Sequence, residues 1–175
     1  MSQADIRRLI RDIPDFPKPG IVFKDITPLL ANATAFRDMV EALVTPYRGR
    51  VDSVLGIESR GFIIGAAAAL SLGTGIAIVR KPGKLPFHTY RASYELEYGT
   101  DTLEIHHDAL AKGHRVLVID DLLATGGTAS AAVQLVKRCG GEITACAFVI
   151  ELAFVGGRKR LDGQEVFSLL RYDAP

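Results

Sequence analysis

The chain has almost no net charge: among its 175 residues, 21 lysines and arginines stand against 20 acids, for a formal +1. No global field marks it for nucleic acid or an anionic membrane, so any electrostatic function must be local. Cysteine is nearly missing as well. Cys139 and Cys146 have neither a CxxC spacing nor zinc-site partners in sequence, which argues against a disulfide framework and points to a reducing cytoplasm. His88, His106, His107 and His114 form no HxH or HExxH pattern and read as surface residues. A secretory signal is not expected either, because MSQADIRRLIRDI alternates charged and aliphatic residues too closely and reads as a short amphipathic helix. One long uncharged run exists, Gly61 to Val79. It is alanine-rich and broken by Ser71, Gly73, Thr74 and Gly75, so a buried helix, a tight turn and a buried strand explain it better than a membrane span.

Repeats, low-complexity tracts and linkers are also missing, and residues 1–175 read as one domain of ordinary soluble composition. What is present is an alternation of short aliphatic runs with helical segments. Val51–Ile57, Ile76–Val79, Arg115–Ile119, Ile143–Ile150 and Val166–Leu169 read as strands. Between them lie an alanine-rich helix to about Leu72 and a second helix from about Thr128 to Arg138, ended by Gly140-Gly141. The fold class is therefore α/β, a mostly parallel sheet flanked by helices, with ligands gathered at the carboxyl ends of the strands. Arg80–Asp108 breaks this rhythm. Basic at its start and aromatic in its middle, it is expected to be a flexible lid or hairpin rather than a plain surface loop.

Val116–Ala129 reads VLVIDDLLATGGTA, an aliphatic strand that runs into two adjacent acids and then into a glycine-rich loop opening a helix. Such a loop presents unpaired N–H groups, its glycines allow close approach, and the helix dipole favours an anion. Thr125 and Thr128 add hydroxyl donors. A Walker A loop is ruled out by the missing lysine, and the dinucleotide fingerprint by Ile78 where its third glycine belongs. Neighbouring carboxylates accept strong hydrogen bonds from hydroxyls. Together with a phosphate loop they suit a sugar phosphate.

The whole run resembles the ribose-phosphate motif of the type I phosphoribosyltransferases. PGIVFKDITPLL (Pro19–Leu30), GIESRGFIIG (Gly56–Gly65), VRKPGKLP (Val79–Pro86) and SYELEYGTDTLEIH (Ser93–His106) are similar to the adenine-specific branch, and the likeness runs from about Ile13 to Tyr172. The resemblance implies a hood at about residues 1–33, a lid at about 80–108, a homodimer, and Mg²⁺ held through the substrate. It implies transfer of ribose 5-phosphate from phosphoribosyl pyrophosphate to adenine, giving AMP and pyrophosphate in purine salvage. The other readings are a phosphoribosyltransferase for another base, or a non-catalytic regulator that senses the donor.

By the same resemblance, Ser59 and Arg60 bind pyrophosphate across a cis Ser59–Arg60 peptide, joined by Arg80, Lys81 and Lys84, partly from a neighbouring subunit. Asp120 and Asp121 hold ribose hydroxyls directly or through water, with no direct protein ligand to the metal. Ala124, Thr125, Gly126, Gly127 and Thr128 cradle the 5′-phosphate. Val22, Phe23, Lys24, Leu122 and Leu152 form the adenine site, with Phe23 against the base. Glu97 exchanges a proton with N7 of the base and, with Arg60, is expected to be catalytic.

Overall fold

Ser2 and Asp5 start the first helix as a reciprocal cap: the Asp5 N–H donates to Ser2 Oγ at 3.2 Å and the Ser2 N–H to Asp5 Oδ2 at 3.1 Å. This helix, α1 (Gln3–Arg7), is shorter than the amphipathic run suggests, because residues 11–13 leave it to form strand β1 (Arg11–Ile13). β1 pairs antiparallel with β2 (Phe23–Asp25), and the pairing is reinforced by Arg11 on Asp25 and by Lys24 on Asp12. α2 (Thr27–Ala31) and α3 (Ala33–Val44) follow, the latter capped by Asn32, whose Oδ1 accepts the Ala35 N–H at 3.0 Å. Neither the β1–β2 hairpin nor α3 is among the elements expected above. Three-residue strands carry too little alternation to stand out, and the helical periodicity of α3 is visible only on a residue-by-residue count.

The rest of the chain folds as its aliphatic runs predict. The computed structural model describes residues 1–95 and 99–175. β3 (Ser53–Ile57) leads into α4 (Arg60–Leu72) and β4 (Gly75–Val79), and the antiparallel hairpin β5 (Thr89–Glu95) and β6 (Thr100–His106) comes next. β7 (Arg115–Leu123), α5 (Gly127–Arg138), β8 (Glu142–Leu152) and β9 (Val166–Tyr172) complete the chain. The central sheet is parallel throughout, in the order β4-β3-β7-β8-β9. The uncharged stretch becomes α4, a turn at Gly73 and β4; no helix among the described residues is long and apolar enough to cross a membrane.

Both faces of the sheet are covered, which is why its strands read as unbroken aliphatic runs. Along β7, Leu117 and Ile119 face a core shared with Met39 and Leu43 of α3 and Ile64 of α4. Val116 and Val118 face the other core, with Leu135 and Val136 of α5. The hairpin joins that second core: Ala92, Tyr94, Leu103 and Ile105 are buried on its inner side, while Arg91, Ser93 and Glu95 are exposed. The body of the segment expected to be a lid is therefore packed. Residues 96–98 of that segment lie outside the described residues.

β7 corrects one boundary. The acids do not end the strand; Asp120 pairs with Phe148, Leu122 with Ile150 and Leu123 with Glu151 before β7 stops. The two aspartates thus sit on backbone already held by the sheet.

Candidate active site

The carboxyl ends of β3 and β7 and the first turns of α4 and α5 enclose a cavity of about 340 Å³. It collects Ser59, Arg60, Lys81, Asp120, Asp121, Leu122, Ala124, Thr125, Gly126 and Thr128, all anticipated from sequence. Gly127 is beside the cavity rather than on its lining; a β-carbon there would meet the Tyr94 ring at 2.8 Å. Glycine at 127 is what lets the hairpin close down on the start of α5.

Close packing also brings α4 to the acids. A β-carbon on Gly61 would lie 2.8 Å from Asp120 Oδ1 and 3.0 Å from the Ile119 carbonyl oxygen. Asp120 is half-buried and Asp121 buried, and the Asp121 N–H donates to Asp120 Oδ1 at 2.9 Å. Burial, and then the adjacent Asp121 carboxylate, push the Asp120 carboxyl well above its ordinary range. A hydroxyl or a cation brought into the cavity would relieve that penalty by stabilising the charged form.

The two basic side chains on the cavity lining, Arg60 and Lys81, each have an acidic partner. Arg60 Nε is bound to Asp121, and the same guanidinium lies over the Phe23 ring at 5.0 Å. Lys81 Nζ is bound to Asp101, and the Tyr94 hydroxyl lies 3.2 Å from Lys81 Nζ and 3.1 Å from Asp101 Oδ2. Arg80 does not line the cavity: Nε and Nη2 each donate to Glu58 at 3.2 Å, and the guanidinium lies 5.9 Å from the centre of the Phe62 ring. Glu58 also accepts the Lys81 N–H at 2.8 Å; burial alone would raise its carboxyl, but that bond and Arg80 outweigh it and hold it below the usual range. Lys84 is exposed and off the cavity lining.

The residues expected to hold a base divide between two places. Leu122 lines the main cavity, whereas Val22, Lys24 and Leu152 line a second, mostly apolar one of about 220 Å³ with Ile21 and Phe154. Phe23, expected against the base, is on neither lining; it packs edge-on to Phe16 at 5.2 Å and lies under Arg60. The Lys24 side chain is buried and committed elsewhere: its Nζ is 2.9 Å from Asp12 and 4.6 Å from the centre of the Tyr172 ring.

The expected cis peptide stands one residue earlier than anticipated, at Glu58–Ser59 instead of Ser59–Arg60. Glu97 falls on the residues outside the description. His88 and His107 stack at 5.9 Å beside Phe87, away from the cavity lining. Sequence reading missed Glu58, Tyr94 and Asp101. Glu58 and Tyr94 stand inside the quoted motifs GIESRG and SYELEYG and could have been singled out as polar neighbours of Arg60 and Glu97. Asp101 stands inside the quoted SYELEYGTDTLEIH as well, but its pairing with Lys81 and Tyr94 carried no local signal, because only the hairpin register brings it there.

Comparison with known proteins fits this geometry. A family model described as a phosphoribosyl transferase domain matches residues 24–163. The adenine phosphoribosyltransferase of Syntrophotalea carbinolica is 61% identical over 169 residues, covering 96% of this chain and 99% of that one. The solved adenine phosphoribosyltransferase of Thermoanaerobacter pseudethanolicus superposes with a TM-score of 0.95 at 50% identity, over 98% of this chain and 100% of that one. The Saccharomyces cerevisiae protein, solved with adenine and an imino-altritol bisphosphate, superposes with a TM-score of 0.92 at 38% identity, over 96% of this chain and 98% of that one. By the extent of the family match and by the identity to relatives of the same length, the chain belongs to the phosphoribosyltransferase family.

Proposed function

We propose that the protein transfers the 5-phosphoribosyl group of phosphoribosyl pyrophosphate to adenine, giving AMP and pyrophosphate. The observation that carries this reading is one cavity lined by a glycine-rich helix N-terminus, an acid pair and two basic side chains, Arg60 and Lys81. Relatives of the same length named for this activity support the choice of base, including one at 61% identity.

In this reading the 5′-phosphate is bound by N–H groups and hydroxyls of Ala124–Thr128 at the start of α5. Asp120 and Asp121 accept hydrogen bonds from the ribose hydroxyls. The pyrophosphate is met by Ser59, Arg60 and Lys81, so the carboxylates now paired with Arg60 and Lys81 exchange for phosphoryl oxygens. The bond from the anomeric carbon to pyrophosphate breaks with its electron pair on the leaving oxygen, N9 of adenine forms the new bond, and the base loses a proton. Cationic groups aimed at the leaving polyanion and acids near the electron-poor sugar stabilise the separated charges of that transition state. Glu97 takes the proton from N7, a role that rests on its match to the family motif SYELEYG. Phe23 packs against the base, with Leu122, Leu152 and backbone groups of Val22 and Lys24 completing its site.

Asp120 and Asp121, adjacent acids on the cavity lining with the Asp120 carboxyl raised by burial and by its neighbour, would hold a magnesium ion brought in with the substrate, through water. When bound, the ion neutralises charge on the leaving group. Among the described residues no group of three or more His, Cys, Asp or Glu side chains is arranged to hold a metal ion. The same proposal includes a homodimer, since the exposed Lys84, off the lining of its own cavity, suits a residue that serves a neighbouring copy. It includes a cytoplasmic location, in keeping with the free thiols of Cys139 and Cys146.

Pyrophosphate release from phosphoribosyl pyrophosphate and Mg²⁺, followed with adenine, hypoxanthine, guanine or uracil, tests the reading. Release with adenine is expected. Release only with another base would overturn the substrate, and release with none would favour a donor-sensing regulator.

A further inference from the structure

The loop read above as the 5′-phosphate site is itself braced from behind. Gly157 is buried in the turn after β8, and a β-carbon there would overlap the Ala124 carbonyl oxygen and lie 2.6 Å from the Gly126 nitrogen and from the Thr125 carbonyl carbon. Conversely, a β-carbon on Gly126 would overlap the Gly157 carbonyl oxygen. Two stretches of bare main chain therefore pack directly on each other. All three of the nearest atoms met from Gly157 belong to residues 124–126.

The next residue fixes this turn to the sheet. Arg158 Nε donates to Glu151 Oε1 at 2.9 Å and Nη2 to Oε2 at 2.5 Å, while Nη1 donates to the Val166 carbonyl at 2.9 Å. Nη2 also reaches Ser168 Oγ at 3.4 Å. Glu151, only 3% exposed, stands near the carboxyl end of β8, the strand beside β7, whose end opens into the loop. A forked guanidinium on a buried carboxylate is a rigid tie.

We propose that Glu151 and Arg158 are positioning residues for the phosphate site, clamping Gly157 against Ala124–Gly126 so that the loop's N–H groups stay convergent. The need is physical. A loop of small residues has few side-chain contacts to hold it, and anion binding by main-chain donors depends on their being ordered before the ligand arrives. Gly126, at φ 78, takes a left-handed conformation open to glycine without strain, and its freedom to leave that conformation is what an outside contact restricts. This inference rests on the reading that the loop binds the 5′-phosphate.

Calorimetric titration of AMP, adenosine and adenine into the wild type, Gly157→Ala, Arg158→Met and Arg158→Lys tests both levels. The wild type is expected to bind AMP at least roughly tenfold more tightly than adenosine. Gly157→Ala and Arg158→Met are expected to lose roughly tenfold or more in AMP affinity while adenine affinity stays within about twofold, and Arg158→Lys, which keeps the charge without the fork, to recover part of the loss. Equal wild-type affinities for AMP and adenosine would overturn the phosphate-loop reading and the brace with it. A wild type that discriminates, with variants that keep AMP affinity or lose all three ligands in parallel, would overturn the brace alone. Should Gly157→Ala not fold, the two Arg158 variants decide.

Discussion

Gly61→Ala is the substitution for which local propensity and tertiary structure disagree most usefully. Alanine in place of glycine at the start of α4 should favour the helix by at most about 1 kcal/mol. The added methyl, however, would sit 3.0 Å from the Ile119 carbonyl oxygen and 2.8 Å from Asp120 Oδ1. Against the main chain this is roughly 0.4 Å short of ordinary van der Waals contact. The carbonyl belongs to β7, pinned between β3 and β8, so it cannot give way independently. Overpacking of this kind costs about 1–3 kcal/mol, leaving a net destabilisation of up to roughly 2 kcal/mol once the full helix gain is subtracted. The carboxylate moves more easily than the strand, and a displaced Asp120 should lower turnover by about ten- to a hundredfold. Gly75→Ala is the control, since nothing lies within 4 Å of its β-carbon position; it should stay within about 0.5 kcal/mol of the wild type and keep full activity. Urea unfolding and initial rates of pyrophosphate release report the two effects. If Gly61→Ala behaves like Gly75→Ala in both, the close approach of α4 to Asp120 does not govern the site.

Asp120→Asn separates stability from function. The folded carboxyl is raised above its ordinary 3.8, so the folded state takes up the proton first, and Asp120's contribution to stability falls as pH rises through that raised value. Asparagine removes this dependence: the variant should be more stable than the wild type at pH 8, with the gap closing toward pH 4, yet at least roughly tenfold less active. Equal urea midpoints at both pH values would refute it. Glu97→Gln should lower turnover by roughly a hundredfold while leaving AMP affinity nearly unchanged, measured by steady-state rates and AMP titration; unchanged turnover would remove Glu97 from proton transfer. Asp101→Asn frees Lys81 of a partly exposed carboxylate partner, so product inhibition by pyrophosphate should tighten by up to about fivefold. Weaker inhibition instead would mean that Asp101 holds Lys81 in its binding position.

Much of this was legible in the chain itself. The parallel sheet follows from unbroken aliphatic runs separated by helical segments, because strands buried on both faces have no polar side to alternate. The proposal of a sugar-phosphate site starts from ATGGT two residues after an acid pair, since both halves of that chemistry lie within a few residues. The strand boundary was harder to see: charged residues normally mark the end of a buried strand, but pairing with β8 carries β7 on to Leu123.

What tertiary structure alone decided are the relations between distant residues. Arg60 finds Asp121 across 61 residues of chain, Arg80 finds Glu58 across 22 and Lys81 finds Asp101 across 20, so the basic groups facing the site are already balanced by acids. No periodicity encodes these pairings; they arise from strand order and hairpin register. The contact of Gly157 with Ala124–Gly126 was least visible of all, because it is made by main-chain atoms and needs from the sequence only the absence of a side chain. Sequence therefore determined which groups the protein owns and the layers into which they fold. Their partners, and the packing of Gly157 on the glycine-rich loop, depended on three-dimensional proximity, which local pattern does not record.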